Sequence, residues 1–175
     1  DEAEGWSTKL DRFICSQAIM LALAGVPGIY IHSLFGSPND HAGFAKSGWK
    51  RDLNHQRLKL AAVESALSDP ATREAQVFTR YARLIEVRRR QPAFNKRARQ
   101  RVLEAGPGIF GLARGPREGQ TLLTLHNVTA SERVASGDWL VGGTAKDVIS
   151  GRRFERTSTL QLAPYEVLWL QELPS

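Results

Sequence analysis

From Ser7 onward, apolar side chains recur at helical spacing, at Leu10, Phe13, Ile14, Ala18 and Leu21. The Ser7–Asp11 stretch supplies the polar residues that open a helix. Between Ile19 and Ala24 the pattern is apolar on nearly every side. That predicts a helix covered on both faces, ended by Gly25. The run Gly28–Ser33 is short, β-branched and aromatic, and it follows a Gly/Pro break, so it predicts a buried strand. Helix, tight turn and continuous apolar strand make one step of a parallel α/β sheet.

A long loop is expected from Leu34 to Leu53, holding Asn39, Asp40, His41, Trp49 and Arg51. Long loops in compact domains are uncommon and are often functional. This one leaves the C-terminal end of the expected strand, where α/β proteins place their sites. Asn54 is expected to cap a short helix running to Leu67, and Asp69-Pro70 to open a longer one. Val77, Phe78, Tyr81, Leu84 and Ile85 give the longer helix a core stripe, and Gln91-Pro92 stops it. After Phe94 the texture changes. β-prone segments at Arg101–Ala105, Ile109–Arg114, Thr121–Val128, Lys146–Ile149, Thr157–Leu162 and Glu166–Gln171 are separated by Gly-Pro, Arg-Glu-Gly, Ser-Gly-Asp and Ser-Gly-Arg turns. The chain thus divides into an α/β part, residues 1–93, and an all-β part, residues 94–175, expected as a small antiparallel β-sandwich. One parallel strand cannot make a sheet, so the first part either pairs with another chain or belongs to a larger barrel or open sheet.

Composition narrows the function classes. The 175 residues are 42% apolar, enough for a packed core. A single cysteine, Cys15, rules out an internal disulfide and fits a reducing cytosol. The acidic opening residues have the wrong sign for a targeting segment, so a cytoplasmic location is expected. The apolar stretch Ala18–Tyr30 is too short and too interrupted for a membrane span. The net charge of +6 gathers around Arg80, Arg83, Arg88-Arg89-Arg90 and Lys96–Arg101. No aromatic residues are interleaved with these positives as a nucleic-acid platform requires, so they are read as a solvated face. No spacing of histidines and carboxylates suits a metal.

The run Ser16–Ser37, containing Gly25-Val26-Pro27-Gly28-Ile29-Tyr30-Ile31-His32-Ser33, is similar to the seventh helix and eighth strand of sucrose-phosphorylase-like enzymes of the α-amylase superfamily. Ser47–His55 resembles the arginine-bearing segment that follows, and Gln91-Pro92-Ala93-Phe94 resembles the end of the eighth helix. His126-Asn127-Val128-Thr129 and Pro164–Leu170 resemble the C-terminal β domain. The resemblance implies the last helix–strand–helix portion of a (β/α)8 barrel followed by that β domain. It implies a retaining α-glucoside phosphorylase that passes a glucosyl group to inorganic phosphate, needs no cofactor, and depends on an N-terminal barrel portion carrying the catalytic carboxylates. No catalytic residue is assigned to this chain.

The substrate-binding candidates follow from the same resemblance. Arg51 aligns with the arginine that hydrogen-bonds the far side of the bound glucose; a planar fork holds a sugar hydroxyl and a carboxylate together. Asn39 and Asp40 match an Asn-Asp pair that caps its own loop, and His32 ends the expected strand. Pro38, Trp49 and His55 stand where the family often has arginine. Those changes alter the charge of a phosphate-handling loop and leave sucrose, glucosylglycerate and sucrose-6-phosphate types open. An α-amylase-like hydrolase, an amylosucrase-like transglucosidase and a non-catalytic carbohydrate-binding or structural β module are the alternatives.

Overall fold

The computed structural model describes residues 4–115, 120–140, 143–155 and 157–173. The expected Arg-Glu-Gly turn at 117–119 lies outside them. The chain forms two compact units, residues 1–27 with 83–175, and residues 28–82. The division expected at 93/94 is therefore not where the compact units part.

The first unit is built on a six-stranded, wholly antiparallel sheet. Its strands are β1 (Arg99–Leu103), β2 (Ile109–Gly115), β3 (Leu122–Asn127), β5 (Thr144–Asp147), β6 (Arg153–Glu155) and β8 (Val167–Glu172), in the spatial order β1-β2-β3-β8-β5-β6. β4 (Arg133–Ser136) and β7 (Thr159–Leu162) pair as a separate two-stranded ribbon. Side chains alternate along the central strands, so one sheet buries two faces. Leu123, Leu125, Leu168 and Leu170 point toward Ala135 and Leu162 of the ribbon, forming one core. On the alternate positions Leu122, Thr124, His126 and Trp169 are equally buried.

Helix α1 (Trp6–Ala22) lies against β3 on this second side. Its buried residues Leu10, Ile14, Cys15, Ala18, Leu21 and Ala22 make the apolar stripe that the helical spacing predicts. Cys15 Sγ donates to the Asn127 carbonyl at 3.4 Å, and burial pushes its thiol up to about 11, so it packs as a small neutral group. The ring of Phe94 meets Trp169 edge-on at 4.7 Å, and the Arg88 guanidinium sits over the Phe94 ring, 5.1 Å from its centroid. Arg88 also donates to the Leu21 carbonyl, one of the acceptors left open where α1 ends, and at 2.9 Å to the Gly25 carbonyl in the turn beyond it.

The second unit contains α2 (Ile31–Phe35), α3 (His41–Ser47), a 3-10 turn (Lys50–Asn54) and α4 (Leu60–Ser68), and it includes the start of α5 (Arg73–Arg90). Four expectations need correction here. The run Gly28–Ser33, expected as a buried strand, joins no ladder; its second half coils into α2. A strand is stable only when neighbours take its N–H and C=O groups, and among the described residues no strand lies beside it. Val26, Ile29, Tyr30 and Ile31 are accordingly exposed. The expected long loop is half helical, because Asp40 nucleates α3 and Gly36 and Gly48 end α2 and α3 in left-handed conformation. Asn54 does not cap a helix, since α4 begins only at Leu60, and α5 is capped by Thr72 rather than by Asp69. Asp69 instead accepts from the Ala71 N–H at 2.9 Å, which makes it the head of a turn before the helix.

Among the described residues, no helix is long and apolar enough to cross a membrane.

Candidate functional site

All four predicted site residues fall in the second unit, and two hydrogen bonds bring their segments together. Asp40 is the pivot of the first. Its Oδ1 accepts from the Gly43 N–H at 2.8 Å, its carbonyl accepts from Phe44 N–H at 3.1 Å, and α3 therefore starts on it. Its own N–H donates to the Leu53 carbonyl at 2.8 Å. Leu53 lies in the 3-10 turn that carries Arg51, so the Asn39-Asp40 pair and the arginine are fixed to one another through the backbone. Asn39 is exposed and its carbonyl accepts from His41 N–H at 3.1 Å.

The glycine at 43 is required by this cap. A β-carbon there would come within 2.5 Å of Asp40 Oδ2. Gly36 is favoured for a different reason: its φ of +60° is a conformation that residues with a side chain rarely adopt, and a β-carbon would lie 2.7 Å from Val77 Cγ2. Together these two glycines let the segment from α2 to α3 fold tightly over its own helices.

The second tie runs through Tyr30, which the sequence patterns do not single out. Its hydroxyl donates to the Asn54 carbonyl and lies 3.0 Å from His55 Nδ1. Its ring is 5.1 Å from that of His32 and 5.8 Å from that of His55. His32, half-buried in the first turn of α2, thus joins an aromatic cluster rather than the end of a strand. The only sign of Tyr30 in the sequence is a polar handle inside an apolar run.

Arg51 is exposed, and its side chain meets no carboxylate among the described residues. Lys50, Arg57 and Lys59 are exposed on either side of it, against the single carboxylate of Asp52. The segment therefore presents positive charge and hydrogen-bond donors in a frame fixed at Asp40 and Tyr30. Such a frame suits oxygen-rich, electron-rich ligands.

No protein-family model matches the chain. A glucosylglycerate phosphorylase from Allomeiothermus silvanus is 40% identical over 170 residues, 97% of this chain and 28% of that protein. A second, from Spirochaeta thermophila, is 36% identical over 93% of this chain and 30% of its own length. A sucrose phosphorylase from Agrobacterium vitis is 31% identical over 49% of this chain and 16% of its own. Among solved structures, AmyP in complex with maltose matches with a TM-score of 0.68 at 16% identity, over 97% of this chain and 35% of that one. The trehalulose synthase MutB from Pseudomonas mesoacidophila matches with a TM-score of 0.63 at 16% identity, over 93% and 38%. At that identity the two structures establish the fold alone. Over nearly its whole length, then, the chain is similar to the sucrose-phosphorylase-like enzymes of the α-amylase superfamily, and it spans 28 to 30% of the length of the glucosylglycerate phosphorylases it matches.

Proposed function

We propose that the chain is the C-terminal portion of a retaining α-glucoside phosphorylase of the glucosylglycerate or sucrose type. The observation that carries this reading is the 40% identity to a glucosylglycerate phosphorylase across 97% of the chain. In this reading residues 1–93 complete a (β/α)8 barrel, and residues 94–175 form the β domain beside it. The exposed apolar side chains of Val26, Ile29, Tyr30 and Ile31 support it, because a contiguous apolar run is costly in water and becomes favourable when the rest of a barrel covers it.

The chemistry is a double displacement. A carboxylate attacks the anomeric carbon while a carboxylic acid gives its proton to the departing oxygen. A phosphate oxygen then attacks the glucosyl-enzyme ester and frees the carboxylate, leaving α-glucose 1-phosphate. Both carboxylates are assigned to the preceding barrel portion, so this chain by itself is inactive. Its contribution is one wall of the glucose pocket. Arg51 donates to a sugar hydroxyl, and its exposed guanidinium is free to take a carboxylate of the barrel at the same time. Asp40 and Asn39 hold the loop, and His32 borders it through Tyr30.

The test uses the full-length protein with glucosylglycerate or sucrose. Glucose 1-phosphate formed only when phosphate is present is the expected result. Free glucose released without phosphate points to an α-amylase-like hydrolase, and glucosyl transfer to a second sugar points to an amylosucrase-like enzyme.

A further inference from the structure

A cleft of about 190 Å³ opens at one end of the six-stranded sheet, in the first unit. Its floor is set by strand register. Arg101 on β1 faces Ala113 on β2, Ala113 faces Leu123 on β3, and Leu123 faces Leu170 on β8. Directly opposed residues share a face, so these four side chains form a single row. One step further along, Glu172 on β8 faces Ala145 on β5. The floor is thus apolar, and the two alanines keep it low. Arg101 stands at one end on the edge strand and Glu172 near the other, three strand spacings away, about 14 Å.

The wall is Trp139. Its indole lies across Gly137, where a β-carbon would fall 2.1 Å from Nε1, and its Nε1–H reaches the Glu104 carbonyl at 3.4 Å. The ring is therefore held on two edges. It is half-buried, packing one side on the core and lining the cleft as well.

We propose that this cleft is a binding site for a single neutral sugar ring. Arg101 offers only donors and Glu172 only acceptors, so a ligand spanning them must both accept and donate, as hydroxyl groups do. The two opposite charges select neither anions nor cations. The apolar floor and the fixed indole suit the C–H faces of a pyranose. The cleft, about 190 Å³ and open to solvent on one side, has room for a sugar ring. The site does not depend on the phosphorylase reading, because none of its residues belongs to the unit that carries Arg51.

The test is a titration of the isotopically labelled chain with D-glucose, following the Trp139 indole N–H by NMR. A saturable shift is expected. Arg101→Ala and Glu172→Gln should each weaken it about tenfold, the loss of one charge-assisted hydrogen bond. Arg51→Ala should leave it unchanged. Trp139→Ala, read by calorimetry, should abolish binding; if that variant does not fold, the two end-residue variants still decide. A resonance that does not move up to the solubility limit overturns the proposal. So does a shift that survives the double Arg101/Glu172 variant, or one that is lost on Arg51→Ala.

Discussion

The backbone N–H of Asp40 donates to the carbonyl of Leu53 at 2.8 Å, while the Asp40 carboxylate caps α3 by accepting from Gly43 N–H, also at 2.8 Å. One residue therefore starts a helix and anchors the turn that bears Arg51. Removing the carboxylate leaves the backbone bond but unties the helix. Asp40→Ala should cost about 1 kcal/mol locally, and Asp40→Asn should recover most of it because asparagine caps nearly as well. Hydrogen exchange at the Gly43 and Phe44 amides measures this: faster by about fivefold in the alanine variant, near the parent rate in the asparagine one.

Arg51 has the opposite profile. It is exposed, and no ion pair among the described residues uses its charge. In the full-length protein, Arg51→Ala should lower kcat/KM by about 10–100-fold, the worth of one hydrogen bond from a charged donor, with an unchanged melting temperature. Lysine at this position should rescue little, since a point charge cannot hold a hydroxyl and a carboxylate in one plane. An Arg51→Ala enzyme with parental efficiency removes Arg51 from the sugar pocket.

Much of this architecture is readable from side-chain periodicity, and the failures have physical reasons. The stripe of Val77, Tyr81 and Leu84 marks α5, and its end falls at Arg90, just before Gln91-Pro92. β2, β3 and β8 are found because they are central and buried on both faces, giving continuous apolar runs. β4 and β6 are missed because three or four residues such as Arg133-Val134-Ala135-Ser136 and Arg153-Phe154-Glu155 carry too little pattern to stand out. The run at Ile29–Ser33 reads as a strand because its composition is right, but strand formation depends on neighbours that local composition does not encode. The Asp40 cap is legible from residue type. The tie from Tyr30 to Asn54 is not, since it joins residues 24 positions apart with no periodic signal.

Gly36 gives a steric prediction. Alanine there meets an unfavourable φ of +60° and a contact of 2.7 Å with Val77 Cγ2. Val77 is buried, with little room to withdraw. Gly36→Ala should destabilise by about 1–3 kcal/mol, the usual cost of overpacking a filled site. Pairing it with Val77→Ala, which removes the clashing methyls, should restore part of the loss; the non-additivity in a double-mutant cycle of chemical denaturation is the readout.

His126 makes stability depend on pH. It is wholly buried on the helix-covered side of the sheet, where desolvation lowers its pKa to about 4, against a smaller opposing effect from the Phe110 carbonyl at 3.0 Å. The contact with that carbonyl fixes the proton on Nδ1 and leaves the imidazole neutral. Because the folded pKa lies below the ordinary value near 6.5, the unfolded chain takes up this proton first as pH falls. The neutral imidazole therefore carries its full stability advantage above about pH 6.5, and that advantage is lost progressively down to about pH 4. The drop from this group should be about 3 kcal/mol, and below pH 4 it should level off. His126→Gln keeps a side-chain donor without the titration, so its stability should fall less steeply across the same window, whatever its absolute value. Chemical denaturation of both proteins at pH 7, 5.5 and 4.5 tests this, and parallel curves would remove His126 as the source of the acid sensitivity.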